Sequence, residues 1–218
     1  MNDFDRFVKL LSQTDGRDKI YKFLSGVAKA LAYLDTAQPR VAAYKSIGSS
    51  LSDGRSLLRM VKWSGDVPKM QSIVTSFRSK GKVNLKDGIQ LLRVLCNFLY
   101  VLGDNVAYFA RYKLVNLQHK RVYLNAKTAQ FWGFLFAAVL DIIALRAALK
   151  KRSSDAVASK KEAKNALINL AKDGSDVLVT MAVVGYMKEV WRPNALTSGV
   201  LTAVSGGVAT YLNWTKIK

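Results

Sequence analysis

The longest uncharged pattern in the chain runs from Asn194 to Thr215 (NALTSGVLTAVSGGVATYLNWT), between Arg192-Pro193 and Lys216. At about 1.5 Å per residue, a helix of this length covers the roughly 30 Å hydrocarbon thickness of a bilayer. Tyr211 and Trp214 near its end suit the headgroup boundary. The stretch therefore predicts a membrane-spanning helix, with a small-residue helix inside a soluble core as the plainer alternative. Gly199, Ala203 and Gly207 recur along it at i, i+4 and i+8, beside a row of Ser198, Thr202, Gly206 and Thr210. Such a surface lets another helix approach closely. The partner is either a second molecule or residues 177–185 of the same chain.

The earlier part of the chain is patterned for further helices. Phe4, Phe7, Val8 and Leu11 make a short apolar face, and Asp15 is placed to open a second helix. In that helix Ile20, Phe23, Leu24, Val27, Leu31 and Leu34 recur at helical spacing, which predicts a core-facing stripe, until Gln38-Pro39 stops the run. In residues 41–63 Tyr44, Ile47, Leu51, Leu58 and Val61 form one narrow stripe, rimmed by Arg40, Lys45, Arg55, Arg59 and Lys62 against the single acid Asp53. A basic amphipathic pattern of this kind predicts a helix lying in a membrane interface; an ordinary bundle helix with a solvated basic face shows the same period. Gly48, Gly54 and the serines weaken it, so it is expected to need lipid or a partner to fold.

Gly65 and Pro68 break the chain, residues 70–77 predict a short helix, and Ser79 to Lys82 reads as a turn. Residues 84–112 predict a long apolar helix interrupted at Gly103-Asp104-Asn105, and the basic residues 113–127 a solvated connection or a nucleic-acid patch. Residues 128–149 are apolar, but Asp141 and Arg146 make them a weaker span, or a pore-lining one if the protein conducts. Lys150 to Lys164, with Ser153, Ser154 and Ser159, is expected to be a mobile linker, and 166–191 to be helical again. Residues 175–191 and 194–215 then form a hairpin. The division expected from this pattern is a cytosol-facing amphipathic region, 1–127, and a membrane-associated region, 128–218. The fold class is an all-α integral membrane protein.

Charge sharpens this picture. The net charge of +19 accompanies 50% hydrophobic residues, a combination that favours anionic membrane lipids as partner over nucleic acid. Residues 1–127 hold 22 Lys and Arg, and residues 146–172 eight more, so both regions should face the cytosol. Two spans meet that demand. Four would put the basic segment 113–127 on the far side. Cys96 and His119 are each the sole residue of their type, which rules out an internal disulfide and a Cys/His zinc cage. The acidic start MNDFDRF predicts no cleavable secretory signal. There is no phosphate loop, no GxSxG, no CxxC and no histidine placed to serve a nucleophile, so no catalytic residue, cofactor or metal site is assigned.

Several stretches together resemble the peroxisome-proliferation family founded on the eleventh peroxin. Gly16-Arg17-Asp18-Lys19 with Tyr21, Leu57-Leu58-Arg59, Leu99 to Val106 around Asp104-Asn105, and Leu201 to Gly207 through Trp214 carry the likeness in order and spacing. The short, basic form is most similar to glycosomal members of trypanosomatids. Lys216 and Lys218 depart from the dilysine spacing of some relatives. The resemblance implies a multi-pass peroxisomal or glycosomal membrane protein with cytosolic termini. It would elongate the membrane before fission, self-associate as a homo-oligomer, and work with the fission machinery and a membrane-protein import receptor. A metabolite pore is the alternative role the family implies. Carried onto this chain, the bending role falls on Tyr44, Ile47, Leu51, Leu58 and Val61 with their basic rim. Separately, bending needs many wedges gathered in one place, which makes the row Gly199, Ala203 and Gly207 a candidate surface for self-association beside its alternative of packing within the chain.

Overall fold

The computed structural model describes residues 2–81, 83–151 and 155–217, and every regular element among them is helical. In chain order they are α1 (Asp3–Ser12), α2 (Thr14–Leu34), α3 (Gln38–Leu58), a 3-10 turn (Lys62–Gly65), α4 (Asp66–Lys80), α5 (Leu85–Arg111), α6 (His119–Lys150), α7 (Ala156–Val184) and α8 (Ala195–Trp214). Local chemistry sets several ends. The side chains of Asn2, Asn84 and Asn194 accept backbone N–H groups of Asp5, Lys86 and Thr197, satisfying donors that a helix start leaves open. Pro39 sits in the first turn of α3, and Gly81, at φ 60°, closes α4 in the left-handed conformation. Helices α6 and α8 are long and apolar enough to cross a membrane.

The chain forms two compact units. The first, residues 1–59 and 185–218, has α2 at its centre with α8, α3 and α1 packed around it. The second, residues 60–184, has α6 between α5 and α7, with α4 on α5. These units cut the chain differently from the division at 127/128. Packing joins α2 to α8 across the sequence, and it joins α5 to α6 across the basic connection.

Four expectations about elements change. First, α5 runs without a break through Gly103-Asp104-Asn105. Gly103 faces Ala126 of α6, where a Cβ would come within 2.9 Å, and Asp104 and Asn105 are buried. Second, the stretch 41–63 is not one helix. Helix α3 ends at Leu58, and Val61 adopts the left-handed conformation at φ 58°. Third, residues 156–164 of the expected linker are helical, because α7 begins at Ala156, and buried Ser159 donates to the Ala148 carbonyl of α6 at 2.8 Å. Ser153 and Ser154 lie outside the described residues, as do Lys82 and Lys218. Fourth, the helix expected to reach Trp191 ends at Val184, before Gly185 at φ 82°.

Candidate membrane-contacting surface

The first unit is built on a backbone-to-backbone approach of α2 and α8. A Cβ on Gly26 would lie 2.7 Å from the Gly199 carbonyl oxygen, and one on Gly199 would lie 2.7 Å from the Ala30 nitrogen. Gly206 likewise meets the backbone of Lys22 and Phe23. The register is antiparallel, with α2 residues 22–30 against α8 residues 199–206. Gly207 lies at the edge of this contact, facing only the Phe23 ring, where a Cβ would be an ordinary 3.4 Å away. The row Gly199–Ala203, expected to meet a second molecule or residues 177–185, is thus filled by α2 of the same chain. Backbone contact of this kind needs small residues on both helices, and α2 supplies Gly26 and Ala30.

Polar groups occupy this interior. Ser205 has no exposed surface, and its hydroxyl accepts a hydrogen bond from the Lys22 ammonium at 2.6 Å. Asp18, 2% exposed, accepts from Lys19 at 2.8 Å and from Arg55 of α3 at 3.0 Å. Arg59 is also buried, its guanidinium donating to the Arg55 carbonyl. Two members of the expected basic rim, Arg55 and Arg59, therefore turn inward, since a buried carboxylate draws cationic partners around itself. Arg40 and Lys45 stay at the surface, with Arg40 held to Asp35 at 2.8 Å.

The α3 stripe lies at the edge of the α2 contact. Tyr44, Leu51 and Leu58 are half-buried and Ile47 is exposed, while Gly48 and Gly54 meet Ala28 and Tyr21 of α2. Val61 falls outside the stripe, because the chain has left the helix by then. It and Lys62 are exposed in the second unit. Asn105 accepts the Val61 N–H at 3.1 Å, and Trp63 packs edge-on against Phe98 at 5.8 Å.

The likeness residues thus have visible work within each unit. Gly16 lets α2 pass the end of α1, for a Cβ there would collide with the Leu10 carbonyl. Asp18 ties α3 to α2, Lys19 is its neighbour, Arg17 is half-buried, and Asn105 fixes the turn after Met60. Asp141 faces Asp173 of α7, near Lys172 and Arg93. Arg146 is exposed on another side of α6, so the two residues expected to share a pore are not brought together within the chain.

The distribution of residue types departs from that of a water-soluble core, although Leu10, Val101, Phe131 and Leu140 are buried. The buried positions are rich in Ala, Gly, Ser and Asp, whereas Phe4, Leu24, Leu31, Leu92, Leu99 and Val204 are exposed. Small and polar residues between helices, with large apolar ones outside, are what a hydrocarbon solvent permits. The chain matches the family model of Peroxisomal biogenesis factor 11 (PEX11) over residues 4–214. It belongs to that family. It is also similar to Peroxisomal membrane protein 11 homolog of Dictyostelium discoideum, with 22% identity over 247 aligned positions that cover 97% of this chain and 94% of that protein. No solved structure matches it. As a PEX11 member it is a helical membrane protein of a peroxisome-biogenesis family, with α6 and α8, among the described residues, long and apolar enough to cross a bilayer.

Sequence reasoning missed the outward face of α2. Ile20, Phe23, Leu24, Val27, Leu31 and Leu34 were expected to pack into a core, yet Phe23, Leu24, Leu31 and Leu34 are exposed and Ser25, Gly26 and Ala28 take the interior. The signal available was the small-residue set on the opposite side of the same helix.

Proposed function

We propose that this PEX11 member remodels the peroxisomal membrane, elongating it ahead of division, by seating the apolar stripe of α3 in one leaflet. The observation that carries this is a helix whose stripe residue Ile47 is exposed and whose Tyr44, Leu51 and Leu58 are only half covered, with Lys45 and the Asp35-paired Arg40 at the surface beside them. Burying such side chains contributes about 1.5 to 3 kcal/mol each, and each surface cation about 1 kcal/mol, before ordering costs. Residues 6 and 214–217 lie together, Arg6 stacking 5.0 Å from the Trp214 ring and donating to the Ile217 carbonyl, and the abundance of Lys and Arg supports a cytosolic side for both termini. Bending needs many wedges gathered in one place, so copies associate. Because α2 fills the Gly199–Ala203 row, they use another face.

The test is the purified full chain on vesicles containing anionic lipid. Ile47→Asp, at an exposed position that leaves the α2 contact intact, should abolish tubulation. Tubules of unchanged length and number from that variant would sink the wedge. Cross-linking in native membranes reads the association directly.

A second reading, a pore for small metabolites, is favoured by the polar group of Arg93, Asp141, Lys172 and Asp173 among α5, α6 and α7. Planar-bilayer recordings decide it: ion preference should change in Asp141→Asn, and a bilayer that never conducts removes this reading.

A further inference from the structure

Helix α2 has three sides, and two of them are taken. Gly26 and Ala30, with the backbone at Phe23, lie against α8; Asp18, Tyr21 and Ala28 meet α3. The remaining side holds Ile20, Leu24, Val27, Leu31 and Leu34, spaced by four, three, four and three residues, flanked by the Phe23 ring. Leu24 is 42% exposed, Leu31 39% and Leu34 61%. No charge interrupts this side for roughly 20 Å of helix, since Lys22 is turned to Ser205 and Lys29 projects from the opposite side.

Register fixes where this side lies. Residues 22–30 of α2 rest against residues 199–206 of α8, the middle of the helix fit to cross the membrane. The outward face of α8 there is Val200 and Val204, both exposed. If hydrocarbon surrounds those valines, the same hydrocarbon borders α2 at the same depth, because the two helices touch backbone to backbone. The arrangement of α3 agrees. Gly54 meets Tyr21 while Arg55 reaches Asp18, which places the Ile47 and Leu51 side of α3 on the Leu24 side of α2 and the Lys45 side away from it.

We infer that α2 is a membrane-embedded helix whose Ile20–Leu34 face contacts lipid acyl chains, continuous with the outward face of α8 and with the α3 stripe. The apolar surface offered to lipid is then a layer of three helices. Hydropathy overlooks α2 because Asp18, Lys19, Lys22 and Lys29 lower its average, although the first and third of these are satisfied inside the unit. This rests on α8 lying in the bilayer, and its test reads α2 against α8 without using α3.

The experiment uses the full chain with Cys96→Ser, a nitroxide label at Leu24→Cys or Leu31→Cys on α2 or at Val204→Cys on α8, and vesicles of phosphatidylcholine and phosphatidylglycerol. Oxygen concentrates in hydrocarbon and a nickel chelate stays in water, so their collision rates separate lipid, water and protein surroundings. Both α2 labels should be relaxed several-fold more by oxygen than by nickel, as at Val204. Relaxation by nickel at the α2 labels would overturn the inference. So would protection from both reagents, which would mean that a protein covers the stripe. If the Val204 label itself meets nickel, the α8 reading fails and this one goes with it.

Discussion

The Lys22 ammonium and the Ser205 hydroxyl are 2.6 Å apart inside the contact of α2 with α8, joining residues 183 positions distant in the chain. The bond lies beside Gly206, where α8 meets the backbone of Lys22 and Phe23. A lysine is tolerated there because its buried charge has a polar partner.

Neighbouring glycines in α8 should respond differently to the same change. Gly206→Ala drives a methyl into the backbone at Lys22 and Phe23 and should destabilise the chain by about 2 kcal/mol or more. Gly207→Ala meets only the Phe23 ring at ordinary contact distance and gains up to about 1 kcal/mol of helix propensity, so it should be neutral or slightly stabilising. Thermal unfolding of both variants in detergent, followed by circular dichroism, checks the contrast.

Asp18 should be the costliest polar residue to remove. Asp18→Ala leaves Arg55 and Lys19 without their buried carboxylate, a loss on the order of 3 to 5 kcal/mol. The double change Asp18→Leu with Arg55→Met should recover part of it, since the Arg55 charge goes together with the carboxylate while Lys19 and Arg59 keep theirs. Limited proteolysis between α3 and α4 reports whether α3 has come away from α2; equal protection in Asp18→Ala and the unchanged chain would refute the anchoring role.

Val61 holds a left-handed conformation that a β-branched residue rarely adopts, with its N–H given to Asn105. Val61→Gly should therefore stabilise the second unit by about 1 kcal/mol, and Asn105→Ala should destabilise it by about 1 to 2 kcal/mol. Melting temperatures moving in opposite directions would be the signature.

Asp35, in the turn between α2 and α3, accepts the Ala37 N–H at 2.9 Å and an ion pair from Arg40, and these hold its carboxyl below the ordinary range. A carboxylate with a lowered folded-state pKa contributes stability above its unfolded pKa, near 4, and loses it as the pH falls through the folded value. The turn should loosen only in acid below about pH 4, and Asp35→Asn should remove that dependence. Hydrogen exchange at Ala37 across pH 2.5 to 6, corrected for the intrinsic rate, reads it.

The sequence by itself determined the helical class, the long uncharged run that became α8, the length of α5, and the small-residue row that marks a close approach. Periodicity and helix length are local properties, and they survive whatever surrounds the segment. It could not determine which side of α2 faces inward, because the rule that apolar stripes seek the core holds only where water is the alternative. With hydrocarbon as the alternative, Leu24 and Leu31 gain little by burial, and Gly26, Ser25 and Ala28 allow the backbone contact that leucine forbids. Nor could spacing show that Arg55 and Arg59 belong to Asp18 and not to a lipid-facing rim, for they lie 37 and 41 residues away along the chain. That assignment, the end of α3 ahead of Val61 and the partner of Gly199 were decided by tertiary packing, through backbone approach and the need of a buried carboxylate for cations.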